Sequence, residues 1–99
     1  MVRAELFFGR DGVDEAAWRG FVAEDLTAAF PDGLTILAGE GQWRDPRSGR
    51  IAREPSRVVL VLLPPDVAPA KLAAVADAYK RKHDQRSVGI STSLACASF

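Results

Sequence analysis

The chain has 99 residues, 47% of them apolar and 26% charged, which is material for one hydrophobic core and too little for two domains. Its 13 Lys and Arg balance 13 Asp and Glu, so no net field draws it to nucleic acid or to an anionic membrane surface, and neither is an expected partner. The lone cysteine, Cys96, has no partner for an intrachain disulfide, so packing alone must hold the fold, as suits a reducing compartment. The first apolar run, Leu6 to Phe8, is too short for the core of an export signal, and a cytoplasmic location is expected. The longest run, Val58 to Leu63, falls far short of the roughly 20 helical residues that cross a bilayer.

Residues 4–9, rich in aromatic and apolar side chains and closed by Gly9, predict a first strand. A helix is expected over 14–30. Asp14 can cap it, Glu15 complements its dipole, and Val13 is placed to form a hydrophobic staple with Trp18. Trp18, Phe21, Val22, Leu26, Ala29 and Phe30 fall on one stripe, and Pro31-Asp32-Gly33 ends the helix. Leu34 to Arg44 resumes strand chemistry, with Gly39 and Gly41 suggesting a bulge. Asp45-Pro46-Arg47-Ser48-Gly49 reads as a hairpin loop. In the returning strand Trp43 pairs with Ile51 or, one residue away in register, with Ala52. Pro55 lacks a ladder donor, so regular pairing is expected to restart near Ser56, with Val58 to Leu63 as the central stretch. Asp66 can open a second helix that buries Leu72, Val75, Ala76 and Tyr79 and closes on Lys80, Arg81, Lys82 and His83. Val88, Ile90, Thr92, Leu94 and Cys96 alternate with small residues, the period of a fourth strand with one covered face.

The order β-α-β-β-α-β over residues 1–99 predicts a single ferredoxin-like α+β sandwich. Its two helices lie on one face of a four-stranded antiparallel sheet whose middle strands are the first and third. A β-hairpin arm is expected near 40–56. Two helices cover one face only, so the other is left with an apolar patch that demands a cover, and homodimerisation through that face is the leading expectation.

Leu6-Phe7-Phe8-Gly9-Arg10, Phe30-Pro31-Asp32-Gly33-Leu34-Thr35, Gly41-Gln42-Trp43-Arg44, Glu54-Pro55-Ser56, and Tyr79-Lys80 ahead of Gln85-Arg86-Ser87-Val88 occur in one order along nearly the whole chain. Together they resemble the bacterial domain-of-unknown-function family numbered 3574. His83 and Arg86 depart from that pattern, which has an aromatic or apolar residue and Glu at these places. The resemblance implies no activity; it implies a set of polar positions to test, namely Arg10, Trp43, Arg44, Glu54, Ser56, Lys80, Gln85 and Ser87.

The chemistry of these positions is limited. Arg10, after the first strand and before the first helix, is placed to hold a carboxylate or phosphate, or to pair with Asp11 or Asp14. An acylphosphatase-like use of that loop is disfavoured, because the chain has no asparagine to orient water. Glu54 and Ser56 flank Pro55, whose fixed φ sets their relative direction; the carboxylate can act as a base or pair with Arg44 or Arg53. Trp43 is a lid, an anchor for a partner chain, or a plain cross-strand neighbour. His83 has no evident serine partner for a hydrolytic triad, and one His and one Cys on separate elements give no metal-ligand spacing. No metal and no cofactor is expected. Gly39-Glu40-Gly41 lacks the Lys-Ser/Thr pair of a phosphate loop, and the third strand lacks the aromatics on which RNA stacks. Two readings survive: a dimeric small-ligand-binding or interaction module, and a small enzyme resembling the dimeric α+β barrels that acts on a partly apolar or anionic substrate.

Overall fold

The computed structural model describes residues 1–99. Strands β1 (Val2–Gly9), β2 (Thr35–Arg44), β3 (Ile51–Leu63) and β4 (Gly89–Leu94) form one antiparallel sheet in the order β2-β3-β1-β4. This is the expected α+β architecture, with the first and third strands in the middle. The first helical rod runs without a break through α1 (Glu15–Phe21), a π-helical turn (Val22–Leu26) and α2 (Thr27–Ala29); α3 (Ala68–Lys82) is the second. No helix is long and apolar enough to cross a membrane.

The start of α1 is built as its residues dictate. The Asp14 carboxylate accepts from the Ala17 amide at 2.8 Å, and Val13 and Trp18 are both buried. The π turn was not legible in the sequence. In it the amide of Thr27 reaches back five residues to the Val22 carbonyl, which also accepts from the Thr27 hydroxyl at 2.8 Å. For α3 the capping expectation is corrected: the helix starts at Ala68 with no side-chain cap, because the Pro64 carbonyl takes the amides of Val67 and Ala68 in a tight turn and leaves Asp66 outside.

One contiguous core lies between the sheet and the two rods. Ala4, Leu6 and Phe8 of β1 and Val59, Val61 and Leu63 of β3 point into it, meeting Trp18, Phe21, Leu26, Leu72, Val75 and Tyr79. Its centre is aromatic. The Phe8 ring sits 4.9 Å from Tyr79 and 5.6 Å from Phe21, both edge-on, an arrangement that contributes about 0.5–1.5 kcal/mol per pair beyond area burial. His83 packs at the margin of this cluster, tilted 5.1 Å from Tyr79 and edge-on 5.8 Å from Phe21.

Three strand expectations are corrected. Gly39 and Gly41 form no bulge: pairing from Thr35↔Leu60 to Arg44↔Ile51 is continuous, and Trp43 faces Ala52. Pro55 does not interrupt β3, since it pairs with Glu40 while its carbonyl accepts from the Arg10 amide at 2.8 Å. A residue's N–H and C=O point the same way in a strand, so the missing donor of Pro55 faces the end of β1, where the Arg10 carbonyl already accepts from Val13. Finally, β4 has no buried residue: Ile90 and Leu94 are on the helix side but remain exposed, because a groove of about 300 Å³ lined by Val2, Ala68, Pro69, Leu72, Ile90 and Thr92 separates α3 from this edge.

Candidate functional site

Register assigns each residue to a face. Leu6 and Val59 are core residues opposite one another, so the neighbouring pairs Phe7↔Val58, Glu5↔Leu60 and Arg3↔Leu62 project from the side without helices. On that open face Leu37 adjoins Val58, Gly39 adjoins Ser56, Gly41 adjoins Glu54, and Trp43 adjoins Ala52. Phe7, Leu37 and Trp43 are 44%, 49% and 54% exposed, and Val58, Leu60 and Leu62 are half-buried. The uncovered apolar patch expected from two helices on one face is therefore present. It is bordered on β4 by Ser91 and Ser93 and on β1 by Arg3 and Glu5.

Beyond the patch, where β1 ends and the β2–β3 arm continues, the sheet loses its side chains on both sides of Glu54 and Ser56. Gly9 and Gly39 flank Ser56, and Gly41 lies beside Glu54. The half-buried Glu54 leans over Gly9 so closely that a methyl group built there would overlap its carboxylate oxygen. A methyl on Gly39 would lie 3.1 Å from the Ser56 hydroxyl oxygen, and one on Gly41 would lie 3.7 Å from Cγ of Glu54. Glycine at these places makes a shallow depression in which a carboxylate and a hydroxyl lie flat on the backbone. Glu54 enters none of the ion pairs of the chain, so neither Arg44 nor Arg53 neutralises it.

Directly beneath, on the helix side, the Tyr79 hydroxyl donates to the carbonyl of Gly9. Burial pushes the phenol up to about 12, Arg10 pulls it partly back, and the Glu54 charge raises it again, so Tyr79 is a protonated donor throughout the physiological range. This bond fixes the backbone on which the Glu54 carboxylate rests. The helix stripe accounts for the Tyr79 ring in the core, whereas its polar tip has no signal in the sequence.

Arg10 is engaged otherwise than expected. Its guanidinium side chain is 9% exposed, donates from Nε to the Val13 carbonyl at 3.3 Å and pairs with Glu15, not with Asp11 or Asp14, at 3.0 Å. The same carboxylate also receives Arg57 at 3.3 Å and Arg19 at 3.5 Å. Arg10 thus buttresses the loop beside Glu54. Trp43 shares the open face with Glu54 and Ser56, whereas Arg44, the next residue along the strand, projects from the opposite side of the arm. Lys80 is on α3 with its ammonium 3.3 Å from Asp77. The Gln85 amide ties two loops, donating to the carbonyls of Asp11 at 2.9 Å and His83 at 3.1 Å, and Ser87 is exposed ahead of β4. Of the eight polar positions, the fold brings Arg10, Trp43, Glu54 and Ser56 to one region. In the sequence the glycines that shape it signal only a strand end at Gly9 and a bulge at Gly39 and Gly41. No group of His, Cys, Asp and Glu is arranged to hold a metal ion.

The fold has solved counterparts. A phage SAM lyase in complex with S-methyl-5'-thioadenosine superposes with a TM-score of 0.71 at 19% identity, covering 93% of this chain and 79% of that one. A phage SAM lyase in the apo state gives a TM-score of 0.69 at 16% identity, over 93% and 78% of the respective chains. At such identities the likeness is one of fold. No curated protein matches the chain. The profile of the family described as Protein of unknown function (DUF3574) matches residues 3–99, so this chain belongs to that family.

Proposed function

We propose that this protein is a small-ligand-binding module that works as a homodimer through its open sheet face, with Glu54, Ser56 and Trp43 as the ligand-facing residues and Arg10 holding the adjoining loop. The observation that carries this reading is the continuity of an exposed apolar patch with a glycine-floored depression containing an unpaired carboxylate. Apolar surface draws a molecule or a second chain, while a few placed polar groups select among them. The ligand that suits this surface is small and partly apolar, and turns a hydrogen-bond donor or a positive group towards Glu54. An anionic ligand has less support, since the Arg10 guanidinium is already paired. The similar fold of the phage SAM lyase that holds S-methyl-5'-thioadenosine makes that thioether nucleoside a reasonable first probe.

Calorimetric titration of the probe and of a panel of small amines and thioethers tests the reading. Saturable binding that falls at least tenfold in Glu54→Gln, with the thermal midpoint unchanged, is the expected result; unchanged binding in Glu54→Gln and Trp43→Ala removes the site. A second reading, a small enzyme using the same depression, rests on the ionic freedom of Glu54, which leaves the carboxylate able to accept a proton from a bound molecule. Product formation from a bound probe, lost in Glu54→Gln, distinguishes it from binding alone.

A further inference from the structure

The sheet edge away from the arm, β4, is unprotected. The Ala95 amide donates to the Met1 carbonyl at 2.9 Å, which makes Met1 and Ala95 a hydrogen-bonded pair in line with the β1–β4 ladder. Such pairs alternate along antiparallel strands, so Ser93, Ser91 and Gly89 also turn their backbone groups towards β1. The N–H and C=O groups of Ile90, Thr92 and Leu94 therefore face outward, and no strand lies beyond them. Natural edges are blunted by charges, proline or bulges. The other edge strand, β2, carries Glu40 and Arg44. From Ser87 to Ala95 there is no charge and no proline, and the pairing of β4 with β1 is unbroken from Gly89 to Leu94. The side chains of the same three residues rise on the helix side, opposite Leu6, Ala4 and Val2, and Ile90 and Leu94 stay exposed there. Beside them runs the groove of about 300 Å³, walled on the far side by Pro69, Leu72 and Ala73 of α3, a space equal to about ten water molecules.

We propose that β4 accepts an extended, uncharged peptide segment of another protein as a fifth strand, and that apolar side chains at every second residue of that segment fill the groove against α3. Outward donors and acceptors that recur at every second residue, about 6.8 Å apart, match the main chain of an extended peptide. A strand added about 4.8 Å beyond β4 supplies the wall that the groove lacks on that side. Residues paired directly across an antiparallel ladder share a face, so the side chains opposite Ile90, Thr92 and Leu94 stand over the groove. The apolar lining and the uncharged edge set the chemistry of the segment, since a buried charge there has no partner. The β4 of a second copy meets the backbone requirement and not the groove. Paired about Thr92, it brings only another threonine to the middle of the edge, and its own groove with it, so the space over Thr92 doubles instead of closing. A segment with a larger aliphatic residue opposite Thr92 closes that space. The edge is separated from the Glu54 depression by β1, and this inference does not rest on the function proposed above.

A fluorescently labelled peptide, Lys-Thr-Leu-Thr-Leu-Thr-Leu-Lys with an amidated end, titrated with the protein by fluorescence polarisation, tests the proposal. Saturable binding is expected. Antiparallel addition sets the leucines opposite Ile90, Thr92 and Leu94 with their N–H groups facing β4. N-methylation of the leucines is therefore expected to weaken binding about tenfold or more, and N-methylation of the threonines, whose N–H groups point away, to leave it within about twofold. In the protein, Ala73→Glu sets a charge on the groove wall, and Thr92→Pro removes an outward donor without touching the β1 ladder. Each is expected to weaken binding about tenfold or more in protein that melts within a few degrees of the parent. Should Thr92→Pro fail to fold, Ala73→Glu and the methylated peptides still decide. A peptide that does not bind at millimolar concentration, or that binds regardless of leucine N-methylation, overturns the strand addition. Binding unchanged in both protein variants places the peptide elsewhere and overturns it too. A parent that is dimeric by light scattering and becomes monomeric as Thr92→Pro holds a second copy on β4, which overturns the peptide as its occupant.

Discussion

At the residue scale, Tyr79 and Gly9 make the Glu54 site what it is. Tyr79 is the only tyrosine in the chain, so its ultraviolet titration is free of overlap. With the folded value raised to about 12 above the ordinary 10.0, the unfolded chain releases its proton first as pH climbs. The stability due to Tyr79 is therefore complete below about pH 10 and is lost as pH rises through about 12, and a denaturation series across that window is expected to show the fall. Tyr79→Phe flattens this dependence and, by leaving the partly buried Gly9 carbonyl without its donor, lowers stability at neutral pH by about 1 kcal/mol. A tyrosinate transition near 10 in the native protein contradicts this account. Gly9 has no left-handed φ, so alanine suits its backbone, but the added methyl takes the place of the Glu54 carboxylate oxygen. Gly9→Ala is expected to keep the thermal midpoint within a few degrees and to weaken probe binding as strongly as Glu54→Gln; a variant that binds like the parent removes the carboxylate from the site.

At the element scale, the start of α1 and the arm differ in how they are held. The Asp14 cap is a local device on an exposed turn, and Asp14→Ala is expected to cost about 1 kcal/mol in chemical denaturation without altering the fold. The arm is held by ladder bonds alone. From Gly41 to Arg44 and Ile51 to Glu54 the two strands pair only with each other, with no third strand beside them. Its turn is locally specified: Asp45 accepts from the Arg47 amide at 2.8 Å, and Gly49 takes the positive φ of 72° that other residues avoid. Amide exchange in the monomer is expected to be fastest in these outer pairs and slowest in β1 and the core half of β3.

At the scale of the whole molecule, the chain is longer than it is thick, 45 × 27 × 21 Å, because the arm runs past the packed body. The face it extends is apolar at its centre and carries few charges, so the homodimer proposed through it rests on burial and not on ion pairs. The apparent dimer mass is expected to be unchanged between low salt and about 0.5 M salt, where surface pairs are screened over a few ångströms. A Leu37→Glu substitution, which places a charge within the patch, is expected to give a folded monomer by sedimentation. Salt-induced dissociation would point to charged contacts and away from the open face.

Much of this protein is local information. Val13, Asp14 and Trp18 specify one helix start, the Asp45 to Gly49 turn specifies the hairpin, and the double-sided apolar run Val58 to Leu63 places β3 in the sheet centre; each acts through neighbours a few residues away or through the period of its own element. The π turn, the continuous pairing through Pro55, and the bareness of β4 depend on what other elements offer, such as the end of β1 opposite a proline or the distance of α3 from an edge. The candidate site is of the second kind. Arg10, Glu54 and Tyr79 belong to a loop, a strand and a helix far apart in sequence, and only the closed sheet puts the Tyr79 hydroxyl on the Gly9 carbonyl and the Glu54 carboxylate over the same glycine. Periodicity reports which way a side chain points, whereas the partner it meets is decided by packing between elements.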